Sequence, residues 1–128
     1  MKFHHIGIAT KDIDHTLEWV KKHYDVRNIS TKVYDKNQNV FLQMIETSDH
    51  NIELVSGSTV EKFIKKNITY YHICYEVEDI YTSIKSFSKS IVISKPTPAI
   101  LFNNRKVAFL MTPIGIIELL ELKENNEN

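Results

Sequence analysis

Apolar and polar positions change period several times along the chain. In "KFHHIGIA" (2–9) Ile6 and Ile8 alternate with small residues, the period of a strand. The next segment, "KDIDHTLEWVKKHY" (11–24), carries Ile13, Leu17, Val20 and Tyr24 at offsets of four, three and four, one face of a helix. Asp12 or Thr10 is placed to cap its start. "NISTKVYD", "VFLQMIET" and "NIELVS" then read as three strands, separated by the turn-prone "KNQN" and "SDH". The predicted order is strand, helix, three strands.

The second half repeats it. "YYHICYEV" predicts a strand, and "EDIYTSIKSFSK" carries Ile80, Ile84 and Phe87 at helical spacing with Glu78 or Asp79 at its start. "SIVISK", "AILFN", "RKVAFLM" and "GIIELLEL" supply further strand, punctuated by Pro96, Pro98 and Pro113, and "KENNEN" makes a polar tail. At an offset of 67 residues His5 meets His72, Ile6 meets Ile73, and Asp12–Ile13 meet Asp79–Ile80. "NIELVS" and "IIELLE" place Glu53 and Glu118 at an offset of 65. Two βαβββ modules in a single domain, one over about 1–57 and one over about 68–122 with the tail at 123–128, follow from this duplication. The expected fold is α+β, a curved, cup-like mixed sheet of paired modules with helices on its outer face.

Each module therefore has a histidine in its first strand and a glutamate in its last. Ile52 and Leu54 flank Glu53, and Ile117 and Leu119 flank Glu118, so strand alternation turns the apolar pairs to the helix side and the carboxylates away from it. The same parity puts His5 and His72 on the carboxylate face, and His4 on the other. A glutamate between core residues of a strand calls for a partner. Two imidazoles and two carboxylates suit a divalent transition metal with positions left open; Zn, Ni, Co, Mn and Fe(II) all fit the ligand types.

Composition narrows the classes. Lys+Arg and Asp+Glu number 16 each, so no basic excess points to nucleic acid or an anionic membrane. No apolar run approaches spanning length. The single cysteine, Cys74, cannot form an internal disulfide and suits a reducing, cytoplasmic setting.

"HHIGIATKDID", "NIELVS", "YYHICYEVEDI" and "KVAFLMTPIGIIELLE" resemble the vicinal oxygen chelate superfamily, which includes glyoxalase I and methylmalonyl-CoA epimerase; the epimerase-like branch is closest. The resemblance covers nearly the whole chain outside the tail. It implies one metal held by His5, Glu53, His72 and Glu118, and enolate stabilisation beside a carbonyl or thioester. It also implies that Glu118, the last ligand, moves the proton. An acyl-CoA thioester is the first substrate class it implies and a glutathione hemithioacetal, for a lactoylglutathione lyase, the second. Ala9 stands where bacterial glyoxalase I carries a basic residue, and "TPIG" stands for its usual turn before the last strand. A small-molecule binding or resistance protein on the same fold is the alternative of another class. A homodimer is implied by the resemblance alone.

Three further residues are placed to meet substrate. Gln43 lies in a strand beside that of Glu53. Cys74, two positions after His72, faces the same way. Arg105, in the turn "FNNRK", could meet a carboxylate or phosphate. Glu46 is an acid of unsettled parity. His15, His23 and His50 read as surface residues, and Trp19 and Tyr24 as core or dimer contacts.

Overall fold

The computed structural model describes residues 1–122. They form two compact units, one of His5–Tyr71 and one of Met1–His4 with the chain from His72 onward. The polar tail expected over 123–128 lies outside the described residues.

The first unit takes β1 (Lys2–Ala9) from residue 5, then α1 (Ile13–His23), β2 (Val26–Ile29), β3 (Val33–Asp35), β4 (Val40–Thr47), β5 (Asn51–Ser56) and α2 (Glu61–Lys65). Its strands run in the order β2-β4-β5-β1, with β3 also on β4. β1 pairs parallel with β5, and the remaining pairs are antiparallel. Ile13 and Val20 of α1, with Leu17, pack on Ile6, Ile8, Ile45, Ile52 and Leu54, so the helix covers one face of this sheet. Asp12 is the cap: its carboxylate accepts the His15 amide at 3.0 Å. Tyr24, assigned by spacing to the apolar face, falls just past the helix and is exposed.

The second unit contains β6 (Tyr70–Val77) from residue 72, α3 (Ile80–Ser86), β7 (Ile91–Ala99), β8 (Arg105–Thr112) and β9 (Gly115–Glu121). The strand order is β6-β9-β8-β7, again with first and last strands parallel and the rest antiparallel. Ile80 and Ile84 of α3 pack on Ile73, Tyr75, Ile117 and Leu119, as α1 does on its own sheet. Asp79 caps α3, accepting from the amides of Tyr81 (3.0 Å) and Thr82 (3.1 Å). The second unit is thus the α+β, βαβββ module expected, and the first is the same module with its second strand divided into β2 and β3 and with an added α2.

Three boundaries differ from the pattern-based expectation. "NISTKVYD" is not one strand but two, broken at 30–32, where the Ser30 hydroxyl accepts the Met44 amide. β7 continues through Pro96 and Pro98 to Ala99 because it is the outer strand of its sheet, where a residue without an N–H forfeits no ladder bond. Ile100–Phe102 form a 3₁₀ turn rather than strand, and Asn103 and Asn104 follow at φ 55° and 64°, left-handed backbone that asparagine tolerates.

Candidate metal centre

In the first unit Gly7 of β1 stands opposite Glu53 of β5. His5, two residues earlier on the same face, reaches over the space that Gly7 leaves. Its Nε2 lies 3.3 Å from Glu53 Oε1, and both side chains are buried. Met44 is the partner of Glu53 on β4. In the second unit Cys74 stands opposite Glu118, and His72, two residues earlier, brings Nε2 to 3.0 Å from Glu118 Oε1, again with both buried. Phe109 is the partner of Glu118 on β8, and its ring meets His72 edge-on at 5.3 Å between centroids. The duplicated construction therefore includes the neighbours: a small residue on one side of each carboxylate and a large apolar one on the other.

Apolar cores back both carboxylates on the opposite face, so ionised glutamates here require close compensation. Each imidazole–carboxylate pair supplies some of it. The donor chemistry also fits a divalent ion. With bonds of about 2.0–2.2 Å to nitrogen and oxygen, two adjacent ligands of one ion lie roughly 3 Å apart. That is the separation found within each pair.

The other residues singled out by sequence fall in different places. Cys74 shares the face of His72 and Glu118 and is fully buried, the small counterpart of Gly7. Gln43 pairs with Leu54, so it lies on the helix face of its sheet, away from the carboxylate of Glu53; its Nε2 donates to Ser30 O at 2.8 Å. Glu46 does share the face of Glu53, but it is exposed and accepts from Asn28 Nδ2 at 3.3 Å. Arg105 is engaged within the protein: Nη2 donates to Glu76 Oε2 at 2.8 Å and Nε to Glu121 O at 2.9 Å. His4 packs edge-on against Phe102, 5.5 Å between centroids. His15 and His23 are exposed, and the Trp19 ring stacks on that of His23 at 4.3 Å.

The model of the Glyoxalase/Bleomycin resistance protein/Dioxygenase superfamily matches residues 4–109. The chain belongs to this superfamily. A curated relative, the mitochondrial methylmalonyl-CoA epimerase of Dictyostelium discoideum, is 29% identical over 96% of this chain and 78% of its own. Among solved structures, a hypothetical protein of Bacillus halodurans superposes with a TM-score of 0.78 at 27% identity, covering 99% of this chain and 98% of its own. A Streptomyces coelicolor methylmalonyl-CoA epimerase variant in complex with 2-nitronate-propionyl-CoA gives 0.75 at 22%, covering 94% and 96%. For a member of this superfamily, the two buried His–Glu pairs are the natural place to look for chemistry. Sequence reasoning missed the Glu76–Arg105 pair, although Glu76 standing where the first module has Ala9 was a visible signal.

Proposed function

We propose that this superfamily member is a metal-dependent isomerase of the methylmalonyl-CoA epimerase type, with His5, Glu53, His72 and Glu118 together holding one divalent ion. The observation that carries the proposal is the duplicated pair: the same buried His–Glu contact, at 3.3 and 3.0 Å, on the non-helical face of each module. The epimerase relative at 29% identity over 96% of the chain supports the substrate class, an acyl-CoA with an acidic C–H between two carbonyl groups. A bound divalent ion would supply Lewis acidity where negative charge develops on a carbonyl oxygen.

The protein's own residues have distinct tasks. His5 and His72 are held as donors, each with its Nε2 beside a carboxylate. Glu118 takes up the α-proton on one face of the enolate and exchanges it with solvent, and delivery of a proton to the opposite face completes the inversion. Cys74 lines the floor beside Glu118 as a small, inert thiol, and suits a reducing compartment such as the cytoplasm. Gln43 and Arg105 are left out of the substrate site, because one lies on the helix face and the other is committed to Glu76 and Glu121.

The test is solvent exchange. Metal-loaded protein in deuterium oxide should introduce deuterium at the α-carbon of methylmalonyl-CoA and interconvert its epimers, followed by NMR. Metal-dependent consumption of methylglyoxal hemithioacetal instead would make the protein a lactoylglutathione lyase. Tight binding of an unmodified compound without turnover would make it a binding or resistance protein.

A further inference from the structure

On the second unit, β6 turns Ile73, Tyr75 and Val77 to the α3 side and His72, Cys74 and Glu76 to the other. Glu76 therefore shares the face of Glu118. Register fixes how they stand: Cys74 pairs with Glu118 and Glu76 with Leu120, so the two glutamates are diagonal neighbours on adjacent strands. Such positions lie about 7–8 Å apart. A carbon approached from both sides needs a carboxylate oxygen about 3–3.5 Å away on each, a span of similar size. Cys74, the small residue between His72 and Glu76 on β6, fills little of the face beside that diagonal.

The surroundings hold Glu76 in place and leave part of it available. Leu120 and, one strand further, Val107 are its buried apolar neighbours. Arg105 Nη2 donates to Glu76 Oε2 at 2.8 Å, while Oε1 makes no hydrogen bond or ion pair among the described residues. One oxygen anchors the group, and the other is open to a ligand.

The duplication marks Glu76 as an addition. At the 67-residue offset it corresponds to Ala9, so both modules carry a His–Glu pair and only the second adds a carboxylate at this point. The remaining carboxylates near these faces are engaged elsewhere. Asp35 accepts the amides of Asn37 and Gln38, Glu46 is exposed and bound by Asn28, and Glu121 accepts the Ile80 amide. Inversion at a carbon calls for proton exchange on two faces, and Glu118 serves one.

We infer that Glu76 is the second acid–base residue of the reaction, acting on the face opposite Glu118. This inference rests on the epimerase reading. From one epimer Glu76 takes the α-proton: the C–H bond breaks, and its electron pair moves to the thioester carbonyl oxygen as the enolate. Glu118 then gives a proton to the other face, forming the new C–H bond. The other epimer follows the same path in reverse, and both carboxylates re-equilibrate with solvent between turnovers. Arg105 is a positioning residue that holds Glu76 by Oε2.

The test follows each epimer of methylmalonyl-CoA separately in deuterium oxide with metal-loaded Glu76→Gln. Interconversion should fall about a hundredfold or more. Deuterium should still enter the epimer whose α-proton faces Glu118, with its configuration retained, and should not enter the other. A merely structural role would slow both epimers alike. Equal loss on both, or interconversion at the rate of the unaltered protein, overturns the inference and leaves the epimerase reading intact. Glu118→Gln is not the mirror experiment, because it also alters a proposed metal ligand and should slow both epimers. If circular dichroism shows that Glu76→Gln does not fold, Glu76→Asp decides, since it keeps the charge opposite Arg105 and withdraws the carboxylate by one methylene. It should slow interconversion more than exchange on the epimer served by Glu118, and equal slowing overturns the inference. Should the unaltered protein exchange neither epimer, the epimerase reading fails and this inference with it.

Discussion

Glu53 and Glu118 each stand opposite a residue with little side chain, Gly7 or Cys74, and that gap lets a histidine two positions away lean over to the carboxylate. Cys74 matches Gly7 in the repeat although the two share no chemistry: both are small compared with the Met44 and Phe109 on the other side of each carboxylate. A Glu118→Gln substitution keeps shape and removes the base. It should lower α-proton exchange on methylmalonyl-CoA at least a hundredfold, while the far-UV circular dichroism is retained. Arg105 belongs to a different class. Its partner Glu76 is largely buried, 16% exposed at the side chain, and the guanidinium also serves the Glu121 carbonyl, so Arg105→Met strands two acceptors. The expected cost is about 1–3 kcal/mol in urea unfolding, discounted for the residual exposure of the pair. Loss of substrate affinity without loss of stability would instead make Arg105 a ligand-binding residue.

At the level of elements, the two strand–helix starts were legible because three signals agree at each: alternation, an aspartate cap, and apolar residues at helical spacing. Asp12–Ile13 and Asp79–Ile80 are the clearest instances. The glutamate-bearing strands were legible because a carboxylate between two core residues fixes parity. α2 was not, since "EKFIK" is five residues long and mostly charged, too short to show a period. The run of β7 through two prolines was hidden because the sequence does not say which strand lies at an edge. Nor did it show that Gln43 pairs with Leu54, because the register of the β4–β5 hairpin is set by the length and type of its turn, which the apolar pattern does not give. The turn after β5 carries its own constraint. Gly57 sits at φ 127° and ψ −175°, and a Cβ there would lie 3.0 Å from Asn39 O and Val40 Cα. Gly57→Ala should therefore destabilise the fold by about 1–3 kcal/mol, measured by thermal or denaturant unfolding, although it touches neither His–Glu pair.

For the whole molecule, the duplication poses a question of stoichiometry that one measurement answers. Each unit brings a single imidazole–carboxylate pair, and two protein ligands are few for a tightly held transition metal, whereas four make a stable site with room for substrate oxygens. One ion per chain is therefore expected from metal analysis, not two. His5→Ala and His72→Ala, in different units, should each abolish binding altogether; independent sites would instead leave one ion in each variant. Unfolding gives a second readout. An ion that binds only the native chain, present at a hundred times its dissociation constant, adds about 2.7 kcal/mol, which for a domain of this size is roughly 10 °C in Tm. Treatment with a chelator should remove that increment from the unaltered protein and leave the Tm of either histidine variant unmoved. Because the ion would join ligands from both halves of the chain, hydrogen exchange should slow on metal addition in β1 and β5 and equally in β6 and β9. Protection confined to one of these strand pairs would show that only one His–Glu pair holds the metal, and the shared site would have to be abandoned.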